Sequence, residues 1–186
     1  MDVSIPEKMS AAVIDQYGGP EVLHLAALPV PVPKRNEVLI RLESAGIGVW
    51  DPAIRAGEFK MGEHEFPEII GNDGAGQVVA VGEGVTRFRP GDRVYAFSQA
   101  GGFYAEFVAV KEDNVAPLPR GLDPFEAGAL GADGITALRG LEELGLRARE
   151  SLVIFGASGG IGHLAIQLAK RKHARVLAVA SGDDGV

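Results

Sequence analysis

Ser151-Leu-Val-Ile-Phe-Gly-Ala-Ser-Gly-Gly-Ile-Gly162, with the apolar helical pattern that follows it, decides the fold of this chain. Its apolar start predicts a buried strand, and the later spacing predicts a helix. Gly156 permits a sharp turn, and Gly162 lets the helix pack close to the strand. Gly159 and Gly160 let backbone N–H groups approach an anion. The order strand, glycine turn, helix favours a dinucleotide phosphate at the helix N-terminus, and a glycine-rich turn without a ligand is the alternative.

Composition excludes several classes of protein. The 186 residues carry a formal net charge of −7, which argues against a nucleic-acid-binding surface. The absence of cysteine excludes disulfides, thiolate zinc sites and a thiol nucleophile. We find no apolar run of about 18 residues and no charged-then-apolar leader, so we predict a soluble, cytoplasmic protein that binds no membrane.

Two kinds of pattern divide the chain. Short strands separated by turns suggest a barrel or sandwich over 1–124, after a loose leader at 1–10. We predict these strands over 11–14, 22–27, 37–42 and 77–81, in the second part of 88–95 after a turn, and over 103–110. From 124 onward the spacing predicts helices over 126–130 and 136–144, the second ended by Gly145. A second buried strand at 175–180 makes 125–186 an α/β segment.

One stretch of the β part has the composition of a site. Asp51-Pro52 is typical of a helix start, with Asp51 as the N-cap and Pro52 at the first helical position. Trp50 beside it is interpreted as core or as the wall of a pocket. Tyr95 and Tyr104 are candidate hydrogen-bond donors, although as strand residues both also fit a role in the core or on the surface.

Seven segments together resemble one known family. They are Tyr17–Val22, Asn36–Ile40, Pro67–Gly76, Val81–Val85, Phe88–Val94, Gly134–Ala137 and Gly156–Gly162. In this order and spacing they resemble the medium-chain dehydrogenase/reductase superfamily, in its zinc-free, zeta-crystallin-like quinone oxidoreductase branch. The resemblance implies a GroES-like β-barrel catalytic domain over 1–124, then the start of a Rossmann fold over 125–186. It also implies a homodimer and hydride transfer from NADPH to a quinone or an α,β-unsaturated carbonyl.

The zinc-dependent branch of that superfamily carries an early Cys and a later Gly-His-Glu. Here the corresponding places hold Gly48 or Val49 and Gly71-Asn72-Asp73. A catalytic zinc needs three closely held Cys, His or carboxylate ligands. The four histidines lie outside these segments without metal-like spacing: His24, His64, His163 and His173. We therefore predict no catalytic zinc, which also weakens the alternative of a zinc alcohol dehydrogenase.

The resemblance assigns residues to the substrate and the cofactor. Asp51 matches the family's Asp, and Trp50 would line an apolar pocket, whereas the family's Asn and Tyr positions hold Gly48 and Ala53. Thr136 matches a Thr beside the nicotinamide, with an ordinary helical Thr as the alternative. The residues predicted to bind the cofactor are Thr136, Gly156, Ala157, Ser158, Gly159, Gly160, Ile161, Gly162 and Ser181.

The choice between NADP and NAD depends on the end of the second Rossmann strand. Ser181 leaves room for a 2′-phosphate, whereas Asp183 and Asp184 would repel one. The balance favours NADP, with NAD as the alternative.

A complete dinucleotide fold has about six parallel strands, and this segment supplies two. We therefore expect a truncated chain or one piece of an associated assembly. The competing function is a non-catalytic association module with an incomplete cofactor site.

Overall fold

A computed structural model describes residues 4–59 and 65–181 of the chain. The chain divides into two compact units, with the boundary in the sequence between Gly131 and Ala132. The domain boundary at 124/125 that the sequence suggests stays a prediction.

The first unit is built on two antiparallel sheets. The strands are β1 Lys8–Ile14, β2 His24–Pro29, β3 Glu37–Ala45, β4 Glu68–Ile69, β5 Asp73–Val81, β6 Arg93–Phe97, β7 Phe107–Lys111 and β8 Val115–Pro117. A five-stranded sheet has the order β7-β3-β5-β6-β8, and a three-stranded sheet has the order β2-β1-β4. Short 3₁₀ turns cover Pro20–Val22 and Glu112–Asn114.

The core of this unit follows from alternation along the strands. Inward residues of the larger sheet form one buried apolar cluster, in which Val38, Ile40 and Val94 are fully buried. A second cluster around Leu39 and Phe107 joins the two sheets. Burying alternate β-branched and aromatic side chains is what stabilises such antiparallel strands.

Two short helices belong to the first unit: α1, Asp51–Ala56, and α2, Pro124–Gly128. Asp123 and Glu126 form a reciprocal capping box at the start of α2. The Ser44 hydroxyl donates to the Pro124 carbonyl oxygen at 2.6 Å, which ties α2 to β3.

The second unit holds the decisive stretch. It comprises α3, Gly131–Glu143, except for the first residue of that helix, then β9, Ser151–Phe155, α4, Gly160–Arg171, and β10, Arg175–Val179. β9 and β10 pair in parallel, as a strand–helix–strand crossover requires. A small core forms between the helices and one face of the strands, from Leu141, Leu146, Ala169 and Ala174 with Leu152, Leu168 and Val176 around them.

The predicted α/β class with a mostly-β first part is confirmed, and the strand bounds need correction in places. The leader ends early, because Lys8 already begins β1 and Met9 is buried. β5 begins at Asp73 rather than at residue 77, so glycines 74 and 76 lie inside a strand. A Cβ at Gly76 would collide with the Arg41 carbonyl oxygen of β3, which explains glycine there.

Candidate functional site

The first group of candidate residues surrounds the start of α1. Asp51 is 4% exposed and is the first residue of α1, so the prediction that it is the N-cap is wrong. Trp50 takes the cap position and no side chain caps the helix. The Asp51 Oδ2 atom instead accepts the Gly48 N–H at 2.6 Å, while the Asp51 N–H donates to the Gly48 carbonyl oxygen at 3.1 Å. The carboxylate therefore points back over its own turn and closes it.

Tyr104 is the residue that sequence reasoning undervalued. Its hydroxyl donates to the same Asp51 Oδ2 atom at 2.6 Å, from 53 residues away along the chain. Burial raises the pKa of Tyr104, and the bond to Asp51 and the charges of Asp51 and Asp73 raise it further. The phenol therefore remains a protonated donor throughout the physiological pH range.

Gly71 makes that bond geometrically possible. Its φ of +84° is a left-handed conformation that favours glycine. A Cβ there would also collide with the Tyr104 ring, with Cε1 only 2.6 Å away. The Tyr104 N–H donates to the Ile70 carbonyl oxygen at 3.0 Å, which aligns the ring with the turn. The glycine at residue 71 was the one signal in the sequence that the Tyr104 ring packs against the backbone there.

Trp50 lies over the backbone of Gly48. A Cβ at Gly48 would be 2.5 Å from the indole Cζ2 atom, so only glycine leaves room for the ring. The half-buried indole packs with Tyr104 against Ile14, Ile54 and Ile70. Where the family resemblance expects a polar side chain at residue 48, this chain has an aromatic wall instead.

The segment after Gly71 holds two more buried polar residues. Asn72 and Asp73 are 3% and 4% exposed. The Asn72 Nδ2 atom donates to the Ser98 carbonyl oxygen at 2.9 Å, and the Ser98 N–H donates to the Asn72 carbonyl oxygen at 2.8 Å. The Asn72 Oδ1 atom is buried and has no hydrogen-bond partner among the described residues. The side chain and the backbone of Asn72 thus both bind Ser98 and hold the two segments together.

These residues do not fit a catalytic zinc. Asn72 is bound to a backbone carbonyl, and the sequence has no cysteine. Over 4–59 and 65–181, no three His, Cys, Asp or Glu side chains converge as metal ligands would. His24, His163 and His173 are exposed, and His64 lies outside the described residues. The prediction that zinc is absent from the reaction stays a prediction.

The second group of candidate residues is the turn between β9 and α4, which we call the phosphate cradle (residues 156–162). Gly156 has a φ of +68°, and its carbonyl oxygen accepts the Gly159 N–H at 3.0 Å. Gly162 is buried, and a Cβ there would collide with that same carbonyl oxygen. The Ala157 N–H donates to the Val179 carbonyl oxygen at 3.0 Å, which fixes the turn to the end of β10. Each predicted role of these glycines as a turn or packing residue thus has a visible counterpart.

The cradle presents unpaired donors to solvent. Gly159 is the N-cap of α4, and no side chain caps this helix. The first N–H groups of an α-helix have no intrahelical acceptor, and the helix dipole adds a partial positive charge. Ser158, Gly159 and Gly160 are exposed, so an anion can reach these donors. The residues of the cradle therefore fit a pyrophosphate group.

The other predicted cofactor residues lie in the same unit. Thr136 is in the second turn of α3, exposed, and its hydroxyl donates to the Ala132 carbonyl oxygen at 2.8 Å. That is the ordinary helical bond that the alternative interpretation expects. Ser181 is exposed just after β10. Asp183 and Asp184 lie outside the described residues.

One further finding concerns membranes. Among the helices that the structure describes, none has the length and apolar character needed to cross a bilayer.

Comparison with known proteins agrees with this architecture. The family model "Alcohol dehydrogenase GroES-like domain" matches residues 34–120. A quinone oxidoreductase of Rattus norvegicus is 38% identical over 179 residues, which is 95% of this chain and 54% of that protein. The chloroplastic NADPH-dependent alkenal/one oxidoreductase of Arabidopsis thaliana is 37% identical over 97% of this chain and 50% of that protein.

Solved structures give the same result. The crystal structure of an alcohol dehydrogenase superfamily protein from Novosphingobium aromaticivorans matches with a TM-score of 0.88 at 38% identity. The match covers 95% of this chain and 54% of that one. The chain thus spans about half the length of the curated relatives it matches. It has a GroES-like β part followed by the start of a Rossmann fold, and nearly its whole length is similar to about half of a quinone oxidoreductase and of an alcohol dehydrogenase superfamily protein.

Proposed function

We propose that this chain is part of a nicotinamide-dependent oxidoreductase that reduces quinones or α,β-unsaturated carbonyls without zinc. The observation that carries the proposal is the phosphate cradle. Gly156 adopts a left-handed turn, Gly162 packs against a carbonyl oxygen, and α4 begins with uncapped N–H groups. Relatives named as quinone and alkenal/one oxidoreductases support the reaction class.

The cofactor side follows from the cradle. A bound nicotinamide nucleotide supplies the hydride, and the chain holds the nucleotide through its pyrophosphate. Gly159, Gly160 and Ile161 face solvent and would contact that group, while Ala157 and Gly162 hold the turn rigid. The Thr136 hydroxyl oxygen keeps acceptor capacity beyond the bond it donates. Ser181, small and uncharged, favours NADPH over NADH.

The substrate side is proposed to involve Asp51, Trp50 and Tyr104. Asp51 is held by two donors at 2.6 Å, so its carboxylate and the turn before it are rigid. Tyr104 is a positioning residue, because its proton is used to hold Asp51. The Trp50 indole offers a flat apolar surface that suits a ring or a conjugated carbonyl. Such substrates are already electrophilic, so hydride transfer to them needs no Lewis acid.

The test is a titration of the purified 186-residue chain with NADPH and with NADH, followed by calorimetry and nucleotide emission. Gly159→Ala is the informative variant, because residue 159 has φ −78° and a Cβ there would lie 3.4 Å from the nearest atom. The alanine methyl group fits the turn, but it would collide with a pyrophosphate bound at the exposed N–H groups. We expect at least about a tenfold loss of NADPH affinity, equal to about 1.4 kcal/mol. Because alanine is a poorer N-cap than glycine, we also expect the free energy of unfolding to fall by about 0.5–1 kcal/mol.

Gly140→Ala is the matched control. Gly140 lies inside α3, where a Cβ would have nothing within 4 Å, so nucleotide binding should be unchanged. Equal affinity of the wild type and Gly159→Ala would contradict the proposed cradle. If the wild type binds neither NADPH nor NADH, the proposed cofactor function of this chain is wrong.

A second candidate function, association without catalysis, is favoured by one observation. Outward residues of β9 and β10 form an exposed apolar face, with Val153, Phe155 and Leu177 exposed to 49%, 79% and 63%. Such a face favours pairing with another chain. Sedimentation equilibrium would support this function if the chain dimerises and binds no nucleotide. The homodimer and the cytoplasmic location predicted from sequence stay proposals.

A further inference from the structure

One carboxylate lies beside the phosphate cradle, and the sequence pattern gives no role to it. Asp133 is in the first turn of α3, half-buried. Its carboxylate lies against Gly160, the first residue of α4. A Cβ at Gly160 would collide with the Asp133 Oδ2 atom and lie 2.9 Å from Cγ. Glycine at 160 therefore makes room for Asp133, in addition to any role in approaching a phosphate.

The charge of Asp133 is not neutralised by its surroundings. Among the described residues it forms no ion pair and accepts no hydrogen bond. The nearest favourable partner is the positive end of the α4 dipole, where a carboxylate is stabilised. The carboxylate thus lies beside the helix N-terminus at which a nucleotide phosphate binds in a dinucleotide fold.

We infer that Asp133 sets the affinity of the phosphate cradle, because its carboxylate is a resident anion with which an incoming pyrophosphate must compete. The inference rests on the proposed cofactor function. Two like charges held in the same site repel by an amount that corresponds to several-fold or more in affinity, depending on their separation and on the local dielectric. Because NADPH and NADH share the pyrophosphate, Asp133 should weaken both equally and leave the preference between them unchanged.

The experiment compares Asp133→Asn with Glu143→Gln in the full 186-residue chain. Glu143 is exposed in the last turn of α3, so its substitution makes the same change in net charge away from the cradle. At low salt, we expect Asp133→Asn to tighten NADPH and NADH by about tenfold each. Glu143→Gln should change either by less than about twofold, and half-molar salt should reduce the gain.

A second measurement does not need the cofactor. Since the carboxylate stabilises the start of α4 in the free protein, Asp133→Asn should lower the melting temperature at low salt, and Glu143→Gln should not. Equal effects of the two variants on both readouts would overturn the inference, as would weaker nucleotide binding by Asp133→Asn. If no variant binds nucleotide, the proposed function fails, and the melting temperatures still decide whether Asp133 is the resident anion.

Discussion

Removing the Tyr104 hydroxyl tests the geometry of the substrate side directly. Tyr104→Phe deletes one of the two donors to Asp51 Oδ2, a 2.6 Å bond to a carboxylate that is 4% exposed. A hydrogen bond to a charged group is worth about 1.5–3 kcal/mol, and the remaining carboxylate keeps only the Gly48 N–H. We therefore expect the free energy of unfolding to fall by about 2 kcal/mol.

The assay is urea unfolding followed by fluorescence. Trp50 is the single tryptophan of the chain and packs in the same apolar cluster as Tyr104, so its emission reports on this region. Tyr95→Phe is the matched control, because the Tyr95 side chain in β6 makes no hydrogen bond with the described residues. It should change stability by less than about 0.5 kcal/mol.

A double-mutant cycle assigns the loss to the pair. Asp51→Asn and Tyr104→Phe together should destabilise less than the sum of the single variants, with a coupling of about 1–2 kcal/mol. If Tyr104→Phe costs no more than Tyr95→Phe, the hydroxyl does not hold Asp51. Additive single variants would lead to the same conclusion, and the proposed rigidity of the substrate side would then lose its support.

Two predictions concern pH. Because the pKa of Tyr104 is raised in the folded protein, this phenol ionises at lower pH in the unfolded chain than in the folded one. The stability that the neutral phenol contributes is therefore present below pH about 10 and is lost above it. Absorbance at 295 nm should show Tyr104 ionising only with alkaline unfolding, and Tyr104→Phe should lack that step. For Glu37, burial alone would raise the pKa, but the 2.9 Å contact with Lys111 Nζ and the Lys34 N–H bond outweigh it and lower the pKa. Its stabilisation is present above pH about 4.5 and is lost as pH falls through the lowered pKa, so Glu37→Gln should destabilise at pH 7 and have little effect at pH 3 in urea titrations.

Local pattern predicted much of the fold because the signals are short-range. The strand, turn and helix around Gly156 depend on neighbouring residues, and all three are present as expected. Gly145 ends α3 with a φ of +59°, as its position after the apolar repeat indicates. The early start of β1 was also readable, since Met9, Ala11 and Val13 alternate inward. Pro6, two residues before the start of β1, breaks any regular element there and so weakens the local signal.

The substrate side could not be predicted in the same way. The bond between Tyr104 and Asp51 joins residues 53 positions apart, and no periodicity records it. Asp51-Pro52 fits the statistics of a helix cap, but the carboxylate is used by Gly48 and Tyr104 instead. Local propensity therefore predicted the helix correctly and the role of its first residue wrongly, because tertiary contacts compete for the same oxygen atom.

The glycines of the cradle show why a motif does not determine an affinity. Gly156 is needed for its positive φ, and Gly162 for the carbonyl oxygen packed against it. Gly159 has no such internal requirement, and Gly160 leaves room for the Asp133 carboxylate. Two of the four glycines thus shape the turn, one leaves a surface open, and one accommodates a charge that opposes an anion. The motif predicts where a pyrophosphate would bind, whereas on our inference the strength of binding depends also on Asp133, which lies 27 positions before Gly160 and outside the motif.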